Sequence, residues 1–273
     1  MREGGSEVRE DRFVEERDLT RWRSPMGRYL TRVTDRLGPY ATLITTLIIG
    51  MAAAVGLTAI AAEIYDAVSE SDGVAGLDEP LLAAAISIRT PWLDTAATYL
   101  TDVAGVIGMP IIAVLAMIVL AIRRRSWTPI ILISAAGVGS LLMTIAGKNL
   151  IGRARPDITD AVPPYEHSPS FPSGHALNAV VIAGIIAYLL ILRQQRMITR
   201  IITITIAAIF AVAIGATRVY LGHHWFTDVL AACFLGAAWL TLVITAHRLY
   251  LTARAREPIN AMQPAKSSTP FGY

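Results

Sequence analysis

Three short segments with polar side chains interrupt an otherwise apolar chain, and their residue types suit the binding and chemical attack of an anion. In chain order, the residues of interest are Lys148, Arg155, Ser173, Gly174, His175, Arg218, His224 and Asp228. Lysine and arginine side chains and the free N–H groups at a helix start bind phosphate oxygens, and an imidazole can act as a nucleophile or carry protons. The segments therefore indicate chemistry on a phosphate-like group.

The third segment has the spacing of an oriented histidine. His224 follows Arg218 by six positions and precedes Asp228 by four, which on a helix places imidazole and carboxylate on one face. Asp228 could then hold one ring N–H and leave the other nitrogen basic, so we expect His224 to be a nucleophile. His223 lacks this spacing. We interpret it as an exposed bystander, with an accessory contact as the alternative.

The second segment has the features of a helix start that could bind an anion. Pro172 and Ser173 favour the first turn of a helix, whose leading N–H groups have no partner within the helix. Gly174 would let a ligand approach the backbone, and His175 would lie beside it in the first turn. The same residues also fit a plain capped helix with an interfacial histidine.

The cations have no obvious acidic partners in the sequence. Asp228 is assigned to His224, which leaves Lys148, Arg155 and Arg218 unpaired. Unpaired charges near an apolar boundary are tolerable when a multiply charged anion lies among them, so we expect these three residues to bind phosphate. For Lys148 the alternative is a side chain that reaches the lipid headgroups. Taken alone, Arg153 and Arg155 would be no more than an interfacial pair.

The elements that must position these residues are membrane helices. The chain has 273 residues, of which 54% are hydrophobic and only 16% charged, and its mean hydropathy is +0.51. These values exclude an ordinary soluble domain. Six apolar windows approach or exceed the length of a membrane span: 41–62, 105–122, 128–147, 175–192, 201–217 and 225–246. We predict an all-α bundle of six spans, with surface helices between spans one and two.

Arginine placement predicts the orientation of this bundle in the cytoplasmic membrane. Arginines cluster in 123–125, 193–200 and 248–256, which fall on one face if the spans alternate. The positive-inside rule makes that face cytoplasmic, together with both termini, and places the three polar segments on the outer face. The predicted organisation is a cytoplasmic tail over 1–40, a membrane domain over 41–250 and a disordered cytoplasmic tail over 251–273.

Taken together, the three segments resemble the signatures of the type 2 phosphatidic acid phosphatase superfamily. The matching patterns are Lys148-x6-Arg155-Pro156, Pro172-Ser173-Gly174-His175 and Arg218-x5-His224-x3-Asp228. The match covers residues 148 to 228, and the combination is specific where each pattern alone is not. Three positions depart from the usual pattern: Thr217 stands where Ser is frequent, Phe226 where Pro is frequent, and His223 where a small or apolar residue is frequent.

The resemblance implies a role for each matching residue. His224 would attack phosphorus and form a phosphohistidine with Asp228 polarising it, and His175 would protonate the leaving oxygen and then activate water. The phosphate would be bound by Lys148, Arg155, Ser173, Gly174 and Arg218. The resemblance implies no metal ion or other cofactor, because the cationic groups would stabilise the transition state.

The leading hypothesis is an integral membrane phosphatase that hydrolyses a lipid phosphate or diphosphate at the outer face. Undecaprenyl diphosphate is the first expectation, with phosphatidic acid and phosphatidylglycerophosphate as alternatives. A phosphotransferase using the same site and a transporter or lipid-binding protein that recognises headgroups without cleaving them are the other classes considered. The expected partners are the lipid substrate and the bilayer, and no nucleic acid.

Overall fold

The protein is described by a computed structural model over residues 40–254, and every regular element in that range is a helix. The α-helices are α1 (Ala41–Glu70), α2 (Asp78–Ser87), α3 (Pro91–Val103), α4 (Gly108–Arg124), α5 (Thr128–Ile151), α6 (Gly174–Ile191), α7 (Met197–Tyr220) and α8 (Phe226–Arg254). Two short 3-10 helices, Gly73–Leu77 and Ile158–Asp160, lie in the α1–α2 and α5–α6 connections. The predicted all-α class is confirmed.

Five of these helices are long and apolar enough to cross a membrane: α1, α5, α6, α7 and α8. The pair α3 and α4 meets the same test when taken together, but it is bent by 45° at the break between them. The described residues therefore contain five candidate spans, or six if the bent pair is one span. The multi-pass membrane character is confirmed, whereas the count of six and the surface position of α2 and α3 stay predictions.

The helices that carry the polar segments pack closely through small residues. A Cβ atom added to Gly139 of α5 would fall on the indole ring of Trp239 in α8, and that indole Nε1 donates to the carbonyl of Ala136 at 3.1 Å. Gly236 of α8 lies close to α6, where an added Cβ would be 3.2 Å from Val180. Small residues allow such close approach of membrane helices. This packing holds α5, α6 and α8 beside one another.

A left-handed turn ends α5 and directs the chain toward the site. Gly152 has a φ of +63°, and its N–H donates to the carbonyl of Lys148 at 3.1 Å. Glycine adopts this conformation without the steric cost that a side chain would bring. The chain therefore turns at the end of α5, and the loop 153–173 begins next to Lys148.

The described chain forms two compact units. The larger comprises 51–244 and contains all of the predicted site residues, and the smaller is formed by 40–50 and 245–254. Within the smaller unit, a Cβ atom on Gly50 would fall on the side chain of Thr245, so the two segments lie in close contact. Residues 1–39 and 255–273 lie outside the described range, and the predicted terminal tails stay predictions.

Candidate active site

Four pieces of chain meet at the site: the end of α5, the loop 153–173, the start of α6 and the turn 221–225 between α7 and α8. The backbone N–H of Ser173 donates to the carbonyl of Asp228 at 3.2 Å, which places the start of α6 against the first turn of α8. His175 lies within range of the charges of Arg218 and Glu166, and its Nε2 would be 3.5 Å from a Cβ atom built on Gly105. The fold therefore brings the three predicted segments together.

His224 is buried and held by both ring nitrogens, with 1% of its surface exposed. Its Nδ1 is 3.5 Å from Oδ2 of Asp228 and 3.3 Å from Oγ of Ser170. Its Nε2 is 3.3 Å from a guanidinium nitrogen of Arg155. The imidazole thus turns Nδ1 toward the carboxylate and Nε2 toward the cations, as a nucleophile oriented by Asp228 requires.

One detail of the prediction is wrong, because His224 does not lie on the helix. It belongs to the turn before α8, and Asp228 lies in the first turn of that helix. The two side chains still approach each other because Oδ2 of Asp228 accepts from the backbone N–H of Trp225 at 3.0 Å, which folds the turn back over the helix start. Burial, followed by the charges of Arg218 and Arg155, holds the pKa of His224 well below its usual value. Its imidazole is therefore neutral at pH 7 and keeps a lone pair for attack.

Arg153 links the carboxylate of Asp228 to a second buried acid. Its guanidinium is 2.6 Å from Oδ1 of Asp228 and 2.7 Å from Oδ2 of Asp78, the first residue of α2. Asp78 also accepts from the backbone N–H of Thr227 at 2.8 Å and from its hydroxyl at 2.7 Å. The expectation that Arg153 is merely interfacial is wrong, because it positions Asp228. Asp78 and Thr227 are 149 positions apart in the chain, so no local pattern could reveal their contact.

Glu166 bridges two of the predicted phosphate-binding arginines. Its Oε2 is 2.7 Å from Nη2 of Arg155, and its Oε1 forms a short ion pair with Nη2 of Arg218. The expectation that these arginines lack acidic partners is therefore wrong. Burial opposes ionisation of Glu166, but the charges of Arg218 and Arg155 outweigh it and lower the pKa of this carboxyl to about 2. Glu166 is consequently a carboxylate at neutral pH.

Lys148 and Arg155 converge on the same stretch of loop. Lys148 donates to Oγ of Ser168 at 3.0 Å and to the carbonyl of Pro169. Arg155 donates through Nε to the carbonyl of Ser168 at 2.6 Å and through Nη1 to the carbonyl of His223. Lys148 therefore joins the site instead of extending away from it toward the headgroups. We call Lys148, Arg155 and Arg218 the cation cluster.

The start of α6 differs from a simple serine cap. Ser173 occupies the N-cap position, but its hydroxyl makes no capping bond, is fully buried and has no hydrogen-bond partner among the described residues. Nε of Arg218 is likewise buried and has no hydrogen-bond partner among the described residues. Buried polar atoms without partners are rare, and both belong to residues predicted to bind phosphate. A Cβ atom on Gly174 would lie 3.1 Å from Cγ2 of Thr144, so this glycine also lets α6 pack against α5.

His223 is buried, which contradicts the expectation of an exposed bystander. Only 3% of its surface is exposed, its Nε2 donates to the carbonyl of Val162 at 2.7 Å, and its own carbonyl accepts from Arg155. Burial and then the charge of Arg218 lower the pKa of its imidazole. His223 thus ties the loop 153–173 to the turn before α8.

Other potential ligands near the site are limited. Within residues 40–254, no group of three or more His, Cys, Asp or Glu side chains could hold a metal ion. Arg218 also donates to Oγ1 of Thr101 at 3.3 Å, so the end of α3 reaches the cation cluster. The site is thus built from the oriented His224, the cation cluster and the chain Asp78–Arg153–Asp228, which we call the carboxylate relay.

This fold and geometry define a helical membrane protein with a histidine and carboxylate pair beside a cluster of cations. The chain belongs to the PAP2 superfamily, whose family model matches residues 127–250. Phosphatidylglycerophosphatase B of Bacillus subtilis (strain 168) is 34% identical over 186 residues, which cover 66% of this chain and 88% of that protein. The resemblance drawn from the sequence is therefore confirmed.

One solved structure agrees with this family membership. The crystal structure of a transmembrane PAP2-type phosphatidylglycerolphosphate phosphatase from Bacillus subtilis matches with a TM-score of 0.65 and 31% identity, over 71% of this chain and 95% of that one. The structure of LpxE from Aquifex aeolicus is a more distant match, with a TM-score of 0.49 and 22% identity over 62% of this chain.

Proposed function

We propose that the protein is a lipid phosphatase that hydrolyses a phosphate monoester or diphosphate through a phosphohistidine on His224. The observation that carries this proposal is the placement of His224, whose Nε2 lies 3.3 Å from the guanidinium of Arg155 while its Nδ1 faces Asp228. A phosphoryl group bound by Arg155 would place its phosphorus within reach of that nitrogen. Family membership supports the same class of reaction.

The proposed reaction has two steps. In the first, Nε2 of His224 forms a bond to phosphorus as the bond from phosphorus to the lipid oxygen breaks, and His175 gives its proton to that oxygen. In the second, His175 takes a proton from water, which attacks phosphorus and releases inorganic phosphate from His224. Asp228 stabilises the positive charge that the ring carries in between.

The remaining predicted residues would stabilise the transferring group. Lys148, Arg155 and Arg218 place three positive charges around its oxygens, and the hydroxyl of Ser173 and the N–H of Gly174 add neutral donors at the start of α6. These groups can neutralise the charge of the transition state without a divalent ion, so we propose metal-independent hydrolysis. Activity that persists after dialysis against a chelator would support it, and loss that returns on adding Mg²⁺ would refute it.

The substrate is proposed from the site's location and from the relatives. A polar site at the end of apolar helices suits a lipid whose headgroup reaches the site while its chains stay in the bilayer. The similarity to phosphatidylglycerophosphatase B favours phosphatidylglycerophosphate as the first substrate to test, ahead of undecaprenyl diphosphate and phosphatidic acid. Undecaprenyl diphosphate is the second substrate to test, because it suits the outward-facing site that the arginine distribution predicts.

Phosphate release from these three lipids by the purified protein tests the proposal. We expect His224→Ala to reduce release by several orders of magnitude, because it removes the nucleophile. His167→Ala is a matched control, since this histidine is exposed in the loop 153–173. Equal activity of wild type and His224→Ala would refute the mechanism. Transfer of the phosphoryl group to a second lipid would indicate a phosphotransferase.

Sidedness can be tested independently. Ile158 is 53% exposed in the loop between α5 and α6, so a cysteine at this position should react with a membrane-impermeant maleimide on intact cells. Cys233 would first be replaced by Ser, since it is the single native cysteine. Labelling only after permeabilisation would show that the site faces the cytoplasm.

A further inference from the structure

We propose that Glu166 occupies the phosphate position in the unliganded protein, and that every anionic ligand must displace it. The inference rests on the proposed function and adds a specificity-determining residue to it. The need to displace Glu166 lowers the affinity of the site for every anion. Phosphodiester headgroups of bulk lipids carry only one negative charge, so they bind too weakly to occupy the site. A phosphomonoester, which carries nearly two, still binds.

The geometry of Glu166 is that of a bound oxyanion. Each carboxylate oxygen contacts a different guanidinium, Oε2 that of Arg155 and Oε1 that of Arg218. Two arginines sharing one anion is the arrangement expected for a phosphoryl group between them. The side chain of Arg218 is only 2% exposed and that of Arg155 11%, so an anion that pairs with both must enter the space that Glu166 fills.

The loop around Glu166 permits it to leave. The loop is anchored by backbone hydrogen bonds on both sides of Glu166. The N–H of Val162 donates to the carbonyl of Leu221 at 2.9 Å, and the N–H of Ser170 donates to the carbonyl of Arg153 at 2.8 Å. Among the described residues, no backbone–backbone hydrogen bond is formed by the segment 163–169 between these anchors. The side chain of Glu166 is itself 29% exposed. It can therefore turn outward without unfolding a regular element.

A phosphoryl group offers the site more than the carboxylate does. The hydroxyl of Ser173 and Nε of Arg218 are buried and have no partner among the described residues while Glu166 is in place. A phosphate has additional oxygens for such donors and a second negative charge for Lys148. A phosphomonoester that replaces Glu166 can thus make contacts that the carboxylate does not make. A phosphodiester has one charge and two esterified oxygens, so it can make only some of these contacts.

The expected size of the effect follows from competition. If Glu166 fills the phosphate position in nine of ten unliganded molecules, the apparent dissociation constant of any anion rises about tenfold. If it fills the position in ninety-nine of a hundred, the constant rises about a hundredfold. Because phospholipid headgroups surround the protein at high local concentration, this factor decides whether they inhibit it.

The test compares Glu166→Gln with wild type. Gln keeps the size of the side chain but removes the negative charge, so we expect inorganic phosphate to bind at least about tenfold tighter, measured by calorimetry in detergent. Phosphatidylglycerol added to mixed micelles should inhibit Glu166→Gln but not wild type. Asp157→Asn is the control, because it removes one charge from the same loop while its amide oxygen can still accept from Thr159. We expect no change in phosphate binding there.

Phosphate binding that is unchanged or weaker in Glu166→Gln would overturn the proposal. Should that variant fail to fold, Glu166→Asp replaces it, since the shorter side chain cannot reach both guanidiniums and should also tighten phosphate binding. Calorimetry does not depend on turnover, so the two proposals fail separately. Absence of lipid hydrolysis by wild type would refute the proposed function, whereas unchanged phosphate affinity would refute only the role of Glu166.

Discussion

Replacement of Arg153 by Met gives the sharpest test of the carboxylate relay, because this residue was not expected to matter. Arg153 joins Asp78 to Asp228, and it also donates to the hydroxyl of Thr227 at 2.8 Å. Met keeps much of the length and apolar stem but supplies neither the charge nor the donors. Asp228 would then be oriented by Ser170 and the N–H of Trp225 alone.

The expected loss can be worked from these contacts. A hydrogen bond to a charged group contributes about 1.5–3 kcal/mol, and the contact that bears on catalysis is the one to Asp228. If that contribution is lost in the transition state, kcat falls about 10- to 150-fold. KM should stay nearly constant, since the side-chain hydrogen bonds of Arg153 go to Asp78, Thr227 and Asp228 and not to the cation cluster.

The assay is steady-state phosphate release by purified Arg153→Met, with thermal unfolding in the same detergent to confirm that the protein is folded. Arg153→Lys is the matched control, because it keeps the charge but loses the fork that spans two acids, and an intermediate kcat is expected. An unchanged kcat, or a rise in KM alone, would show that Arg153 does not act through Asp228.

Three further predictions concern residues of the same site. Asp228→Asn should lower kcat by about 10⁴-fold with a folded protein, because an amide cannot hold His224 in the tautomer that exposes Nε2; steady-state kinetics measures this, and a loss below tenfold would contradict it. Gly174→Ala should lower the unfolding temperature, since its Cβ would lie 3.1 Å from Cγ2 of Thr144, and adding Thr144→Ser, which removes that methyl, should restore it. The pKa of His224 is lowered by burial and by Arg218 and Arg155, so its ring should remain neutral as the pH falls from 7.5 to 6.5, where a free histidine is about half protonated. Nitrogen NMR of the labelled ring tests this, and a midpoint at or above 6.5 would refute it.

The elements and the site members could be predicted because they depend on local sequence. Apolar windows of span length indicated the helices, and the spacing of His224 and Asp228 indicated their pairing, although the pair lies across a turn and not along a helix. The cation cluster was predicted from residue type, from the absence of obvious acidic partners and from the spacing of the family patterns. Its members do converge, through Ser168 and Glu166.

The partners of these residues could not be predicted, because they depend on where distant segments meet. Glu166 is the single acid between Ala161 and Ser173, which is the only signal that could have marked it. His223 is buried because the loop and the turn before α8 close over it, and neither segment has a pattern that reveals this packing.

The contact between Asp78 and Thr227 has a consequence for how the chain can be divided. Asp78 lies outside the region 127–250 that matches the family, yet it binds the same arginine that holds Asp228. A fragment limited to the matched region would carry every signature residue and still lack this support. The matched region therefore contains the signature residues, but it is shorter than the smallest fragment that we expect to be active by itself. We expect such a fragment to recover activity only when the N-terminal portion is supplied as a separate polypeptide.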